Sequence, residues 1–136
     1  MSVSSSDDFD VAFEPVTIVW DNILLLPING IVDSTRAQVI MDTVLDKIRE
    51  TNAKILILDL TGVEAVDTAV ANHLIKIVQA SGLMGCQSII SGIWPTVAQS
   101  LVELGIPLTD IVTRATIRDA LSYGFDKLDL KVVNKS

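Results

Sequence analysis

The segment Ile55-Leu56-Ile57-Leu58-Asp59-Leu60-Thr61-Gly62-Val63-Glu64-Ala65-Val66-Asp67-Thr68-Ala69-Val70-Ala71 constrains the fold more than any other part of the chain. Its apolar run is unbroken instead of alternating, as expected of a strand covered on both faces at the centre of a parallel sheet. The run ends in an acid and a glycine turn, and a short loop then sets Asp67-Thr68 at the start of an amphipathic helix. A helix N-terminus leaves backbone N–H groups without partners, a place suited to a capping side chain and to an added phosphate. A hydroxyl offered there, with no base, metal ligand or second nucleophile nearby in sequence, reads as the substrate of a kinase and not as a catalyst.

At 136 residues the chain suits a single domain with a sizeable core. Hydrophobic residues make up 49% of it but aromatics only 4%, so the core must be aliphatic, as in layered α/β domains. A net charge of −7 and the lack of any Lys or Arg cluster remove the electrostatic footprint for nucleic acid or anionic lipid. Cys86 is alone, which excludes an intramolecular disulfide and a thiolate metal site. Residues 1–12 form a polar, acidic leader without the basic and apolar regions of a signal peptide. The longest apolar run falls well short of the roughly 20 residues of a membrane helix. The expectation is a soluble, cytoplasmic protein with neither nucleic acid nor membrane as partner.

Val16 to Trp20 and Ile23 to Ile28 flank the turn formers Asp21-Asn22, a hairpin pattern, and Pro27 places the second strand at an edge or a bulge. Ala37, Ile40, Met41, Val44, Leu45 and Ile48 then make one apolar helical stripe, capped by Asp33 or Ser34 and ended by Thr51-Asn52. A second helix is predicted from about Asp67 to Leu83, closed by Gly82 and Gly85, and a strand at Ser88 to Ser91. A helix from about Thr96 to Leu104 follows Pro95, then a short strand at Ile111-Val112 and a last helix from about Ala115 to Tyr123. Residues 13–125 thus form the domain and 126–136 a weakly patterned C-terminal extension.

A hairpin followed by alternating helices and strands predicts an α/β fold, a mixed sheet with a parallel centre flanked by about four helices. Functional loops of such sheets lie at the carboxyl ends of the strands. Asp33-Ser34 and Asp67-Thr68 both follow a strand and open a helix, so both should emerge on one edge of the sheet.

Three separated segments carry a resemblance: Leu26 to Ala37, Leu58 to His73, and Ser91-Gly92-Ile93-Trp94-Pro95 with Val97-Ala98-Gln99. Over roughly Pro15 to Phe125 the chain resembles STAS domains, the anti-sigma-factor antagonist family, and among them the RsbR type of the stressosome. The resemblance implies a STAS fold and a non-catalytic phosphoswitch scaffold upstream of a general stress response. It also implies an RsbT-type serine/threonine kinase that is held and then released on phosphorylation, with an RsbS-type STAS protein as assembly partner. By motif the two phosphorylated hydroxyls fall on Ser34 and Thr68. Where the RsbR type has Thr at the first position this chain has Ser34, with Thr35 beside it; Thr68 favours the RsbR type, because RsbS-type proteins carry Ser there. RsbR-type proteins have an N-terminal sensory domain where this chain has a short leader, as expected of either a sensorless paralogue or an excised fragment. Asp33, Asp67 and Arg36 are expected to support the two phosphosites, Arg36 as a local partner for a phosphate on Ser34.

Other readings compete. Both Asp-hydroxyl pairs could be helix caps and nothing more. Asp59, Glu64 and Asp67 could bind Mg²⁺ as in receiver domains, although the acidic pair and Lys such domains need are not evident. An RsbS-like antagonist, or a STAS module that senses a ligand or nucleotide, is the alternative function. An enzyme is not expected, since no nucleophile–base pair is present, and no cofactor or metal is implied. His73 reads as a surface or satisfied helix residue, and Trp20 and Trp94 as core, with Trp94 a candidate interface anchor. The hairpin edge and Ile93-Trp94 predict a homo-oligomer, at least a dimer.

Overall fold

The computed structural model describes residues 14–105 and 111–135, so the leader lies outside the described residues. Five strands form one sheet in the order β1 (Thr17–Trp20), β2 (Ile23–Gly30), β3 (Ile55–Val63), β4 (Gln87–Ser91) and β5 (Val112–Arg114). β1 and β2 are antiparallel and every later neighbour is parallel, giving the mixed sheet with a parallel centre. Four helices among the described residues cover it: α1 (Ser34–Thr51), α2 (Thr68–Leu83), α3 (Pro95–Glu103) and α4 (Ile117–Lys127).

Burial explains the unbroken run of β3, whose residues Ile55 to Leu60 are all buried. Leu56, Leu58 and Leu60 join Leu24, Leu26, Ile28 and the inward residues of α1, α2 and α3 in the larger core. Ile55 and Ile57 point to the other face, where Ile23, Ile89 and Ala120 form a smaller core beneath α4. Alternation therefore exists, but both of its faces are apolar.

The hairpin turns at Asp21-Asn22, with Asn22 at φ 68°. Pro27 lies beyond the last β1–β2 pair, Thr17 with Leu25, and faces β3, where the register slips between Pro27 and Asn29. A residue without an N–H is tolerated at such an irregularity. The helical stripe of α1 buries Ala37, Ile40, Val44 and Ile48, and Asn52 at φ 55° ends it.

Four expectations need correction. Gly82 lies inside α2, and the turn beyond it is made by Gly85 at φ +83°. β5 begins at Val112 and reaches Arg114, one residue beyond the expected start. The last helix runs on to Lys127 and does not stop at Tyr123. Neither tryptophan is core: Trp20 is 52% exposed, resting edge-on against Phe125 at 5.4 Å, and Trp94 is 44% exposed. β1 is an edge strand exposed throughout, so its aromatic has no second layer to enter.

Cys86 is buried, and desolvation raises its thiol pKa from 9.0 to about 11 against the opposing pull of Lys54. A thiol so placed is held protonated and inert. Among the described residues no helix is long and apolar enough to cross a membrane.

Candidate functional site

The two Asp-hydroxyl pairs are built alike. β2 leads to Asp33 and β3 to Asp67, and each aspartate takes an extended conformation, φ −102°, ψ −179° and φ −106°, ψ −176° respectively. In that conformation the side chain turns back over the helix start. Asp33 Oδ1 accepts from the Arg36 N–H and Asp67 Oδ1 from the Val70 N–H, both at 2.8 Å. Ser34 and Thr68 are thereby set at the first helical position, exposed, with their hydroxyls outside the capping bonds. Capping and hydroxyl presentation are thus separate tasks of adjacent residues. Replacing either aspartate by Ala should cost about 1 kcal/mol in urea unfolding, while Ser34→Ala and Thr68→Ala should cost much less. Equal losses for Thr68→Ala and Asp67→Ala would mean that the hydroxyl belongs to the cap.

The two sites lie on one edge, and the first of them touches the helix that carries the second through His73, a residue to which the sequence assigned no part in the site. α1 packs against α2, and His73, in the second turn of α2, brings Nε2 to 3.2 Å from Ser34 Oγ. His73 is partly buried and bridges the two helices, the satisfied helix residue that was one of the two expectations for it. The only signal in the chain was that His73 and Ser34 each sit near a helix start.

Arg36 is occupied elsewhere. Its Nε donates to Glu14 Oε2 at 3.1 Å, with the carboxylate side chain 4% exposed. Its Nη1 donates to the Ile31 carbonyl at 2.9 Å and also to that of Asn29. Arg36 therefore pins the exit of β2 and the segment before β1 to the first turn of α1. It supports the Ser34 site by holding the loop, and the side chain that meets the hydroxyl is His73.

On the other face of the sheet, Asp59, in the middle of β3, is a buried carboxylate. Ser91 Oγ donates to its Oδ1 at 2.7 Å, Thr61 Oγ1 to the same oxygen at 3.2 Å, and the Thr61 N–H to Oδ2 at 3.3 Å. These bonds commit Asp59 to joining β3 and β4, and it does not converge with Glu64 and Asp67. Among the described residues no three His, Cys, Asp or Glu side chains gather to hold a metal ion. Beside Asp59 a shallow cleft of about 710 Å³ opens, lined by Thr61, Gly92, Trp94, Thr116 and Arg118 among others.

Residues 14–120 match the family described as STAS domain. Over 120 residues the chain is 34% identical to the RsbT co-antagonist protein RsbRA of Bacillus subtilis, covering 88% of this chain and 44% of that protein. The chain thus spans less than half the length of that relative. Among solved structures, an RsbS variant of Moorella thermoacetica superposes with a TM-score of 0.74 at 26% identity, covering 86% of this chain and 98% of that one. A chain from the stressosome, described as a signal integration and transduction hub, superposes at 0.66 with 25% identity, covering 85% and 98%.

Proposed function

This chain belongs to the STAS domain family, and on that premise we propose that it is a phosphoswitch scaffold of a stressosome-type complex. It holds an RsbT-type serine/threonine kinase and releases it on phosphorylation, upstream of a general stress response. The observation that carries this reading is the repeated cap geometry, which offers Ser34 and Thr68 as two exposed hydroxyls on one sheet edge. Neither hydroxyl caps its helix, so modification of either leaves both caps in place. The likeness to a protein named as an RsbT co-antagonist and to stressosome chains supports the partner class. The scaffold itself performs no chemistry: the kinase supplies the transfer and this chain supplies the acceptors.

The test is incubation with an RsbT-type kinase and ATP, followed by peptide mass spectrometry. Phosphate is expected on Thr68 and on Ser34, and Ser34→Ala should slow modification of Thr68 without abolishing it. Absence of phosphate from both residues would overturn the reading. A complete block of Thr68 modification by Ser34→Ala would make Ser34 a strict gate and not a tuning site.

Assembly is the other part of the proposal. Ile18 and Trp20 of the edge strand are 53% and 52% exposed, an uncharged edge without the lysines or prolines that discourage pairing. The isolated chain is expected to be at least a dimer by light scattering and to enter a larger complex with an RsbS-type STAS protein. A strict monomer at high concentration would remove the first half of that statement.

The cleft beside Asp59 favours a second reading, a STAS module that binds a small molecule or nucleotide, because Trp94 and Arg118 offer an aromatic face and a cation. Titration with nucleotides under calorimetry separates the two: heat that Trp94→Ala removes would favour the module.

A further inference from the structure

Ser34 and His73 are 39 residues apart in sequence, on different helices, and yet His73 Nε2 stands 3.2 Å from Ser34 Oγ. The cation nearest in sequence, Arg36, is spent on Glu14 and on the carbonyls of Asn29 and Ile31. Asp33 beside Ser34 is spent on the Arg36 N–H. The side chain across the helix interface is thus the one in hydrogen-bonding distance of this hydroxyl.

We infer that His73 is the positioning residue that receives a phosphoryl group on Ser34 and ties the start of α1 to α2, so that the state of the first phosphosite is passed to the helix bearing the second. The inference rests on the reading of Ser34 and Thr68 as phosphorylated residues. Transfer forms the Ser34 Oγ–P bond and breaks the bond between the γ-phosphorus of ATP and ADP, the hydroxyl proton leaving to solvent. The product carries a charge of about −1.5 to −2 where a neutral hydroxyl stood. An imidazole within one hydrogen bond of that group takes up a proton from solvent and becomes a charge-assisted partner. The contact with a hydroxyl becomes a charge-assisted bond between two helices. The imidazolium also puts positive charge into α2, whose sequence between Thr68 and Lys76 contains no Lys or Arg. A second phosphate, at Thr68, then meets less repulsion from Asp67 and from the phosphate on Ser34.

Four versions of the 136-residue chain test this: parent and His73→Gln, each with Ser34 or with phosphoserine introduced at position 34 by genetic encoding. Gln keeps a polar side chain but cannot carry the charge. Phosphoserine should raise Tm by about 2–4 °C in the parent relative to its effect in His73→Gln. The ¹⁵N signals of the His73 ring should report a change of protonation state on phosphorylation. With an RsbT-type kinase and ATP, Thr68 should be modified about fivefold faster in the phosphoserine parent than in phosphoserine His73→Gln, the size of a partly exposed charge pair. Equal Tm shifts in the two backgrounds, or an unchanged ring, would overturn the inference. The first two readouts need no kinase. If they show the coupling while the kinase leaves Thr68 untouched, the proposed function fails and the pairing of His73 with the phosphoryl group stands.

Discussion

Gly92→Ala is expected to remove about 3 kcal/mol or more of folding stability, measured by urea unfolding, and to lower Tm accordingly. Two effects add. Gly92 sits at φ +75°, a left-handed conformation that penalises any Cβ by roughly 1–2 kcal/mol. An added Cβ would also stand 2.7 Å from the Thr61 backbone nitrogen and 2.7 Å from Asp59 Oδ1, and would collide with Thr61 Oγ1. A backbone nitrogen in the central strand cannot step aside, and Asp59 is fixed by Ser91. Gly62→Ala is the control. Its nearest neighbour is the Asn29 amide, the far end of an exposed side chain that can rotate away, so the loss should stay within about 1 kcal/mol. Gly92→Ala unfolding at the parent's urea concentration would mean that the strand ends are looser than the packing of Thr61 against Gly92 implies.

Thr68→Asp is expected to weaken retention of an RsbT-type kinase by tenfold or more while leaving Tm within about 2 °C of the parent. A fixed negative charge at the first helical position is tolerated by the helix, whose N-terminus stabilises it by about 0.3–1 kcal/mol. The fold therefore has little to lose. A docked partner meets a surface already bearing Asp67 and Glu64, both exposed, on a chain of net charge −7. Like charge brought to an interface acts on binding much more than on folding. Thr68→Asp binding the kinase as tightly as the parent would exclude release by repulsion. Thr68→Ala, which adds no charge, should retain the kinase and so distinguishes loss of a hydroxyl from gain of an anion.

What was legible in the sequence was local. The stripe from Ala37 to Ile48 has a single period and admits one structure, and it forms the buried face of α1. The apolar run of β3 announced a strand with two covered faces. An aspartate followed by a hydroxyl, after a strand and before a helix, was enough to place both caps on one edge. What stayed hidden depends on how elements meet. The contact between Ser34 and His73 exists only once α1 lies beside α2, and no period within either helix encodes it. Arg36 looked like a phosphate partner because only its neighbours in sequence were in view, whereas Glu14, 22 residues away, holds it.

The end of α4 misled for a related reason. The expected helix stopped at Tyr123, but it continues through Gly124, which is buried within it and where an added Cβ would lie 3.3 Å from Ile55 Cγ2. There the small residue lets the helix approach the sheet, and Lys127 ends it three residues later. The tryptophans were assigned by rarity and size, which favour the interior on average. Trp20 lies on an edge strand and Trp94 precedes the first turn of α3, positions where topology leaves no interior to fill.

The ion pair between Glu14 and Arg36 has a mechanical side. Glu14 precedes the first strand, and its carboxylate grips a guanidinium rooted in the first turn of α1, two residues after Ser34. Separating the pair would strand a buried charge, a penalty of about 3–5 kcal/mol. Through Arg36 the Glu14 carboxylate is joined to the Asn29 and Ile31 carbonyls and to the turn that carries Ser34. One guanidinium thus ties the segment ahead of the sheet to the helix start that presents the first hydroxyl.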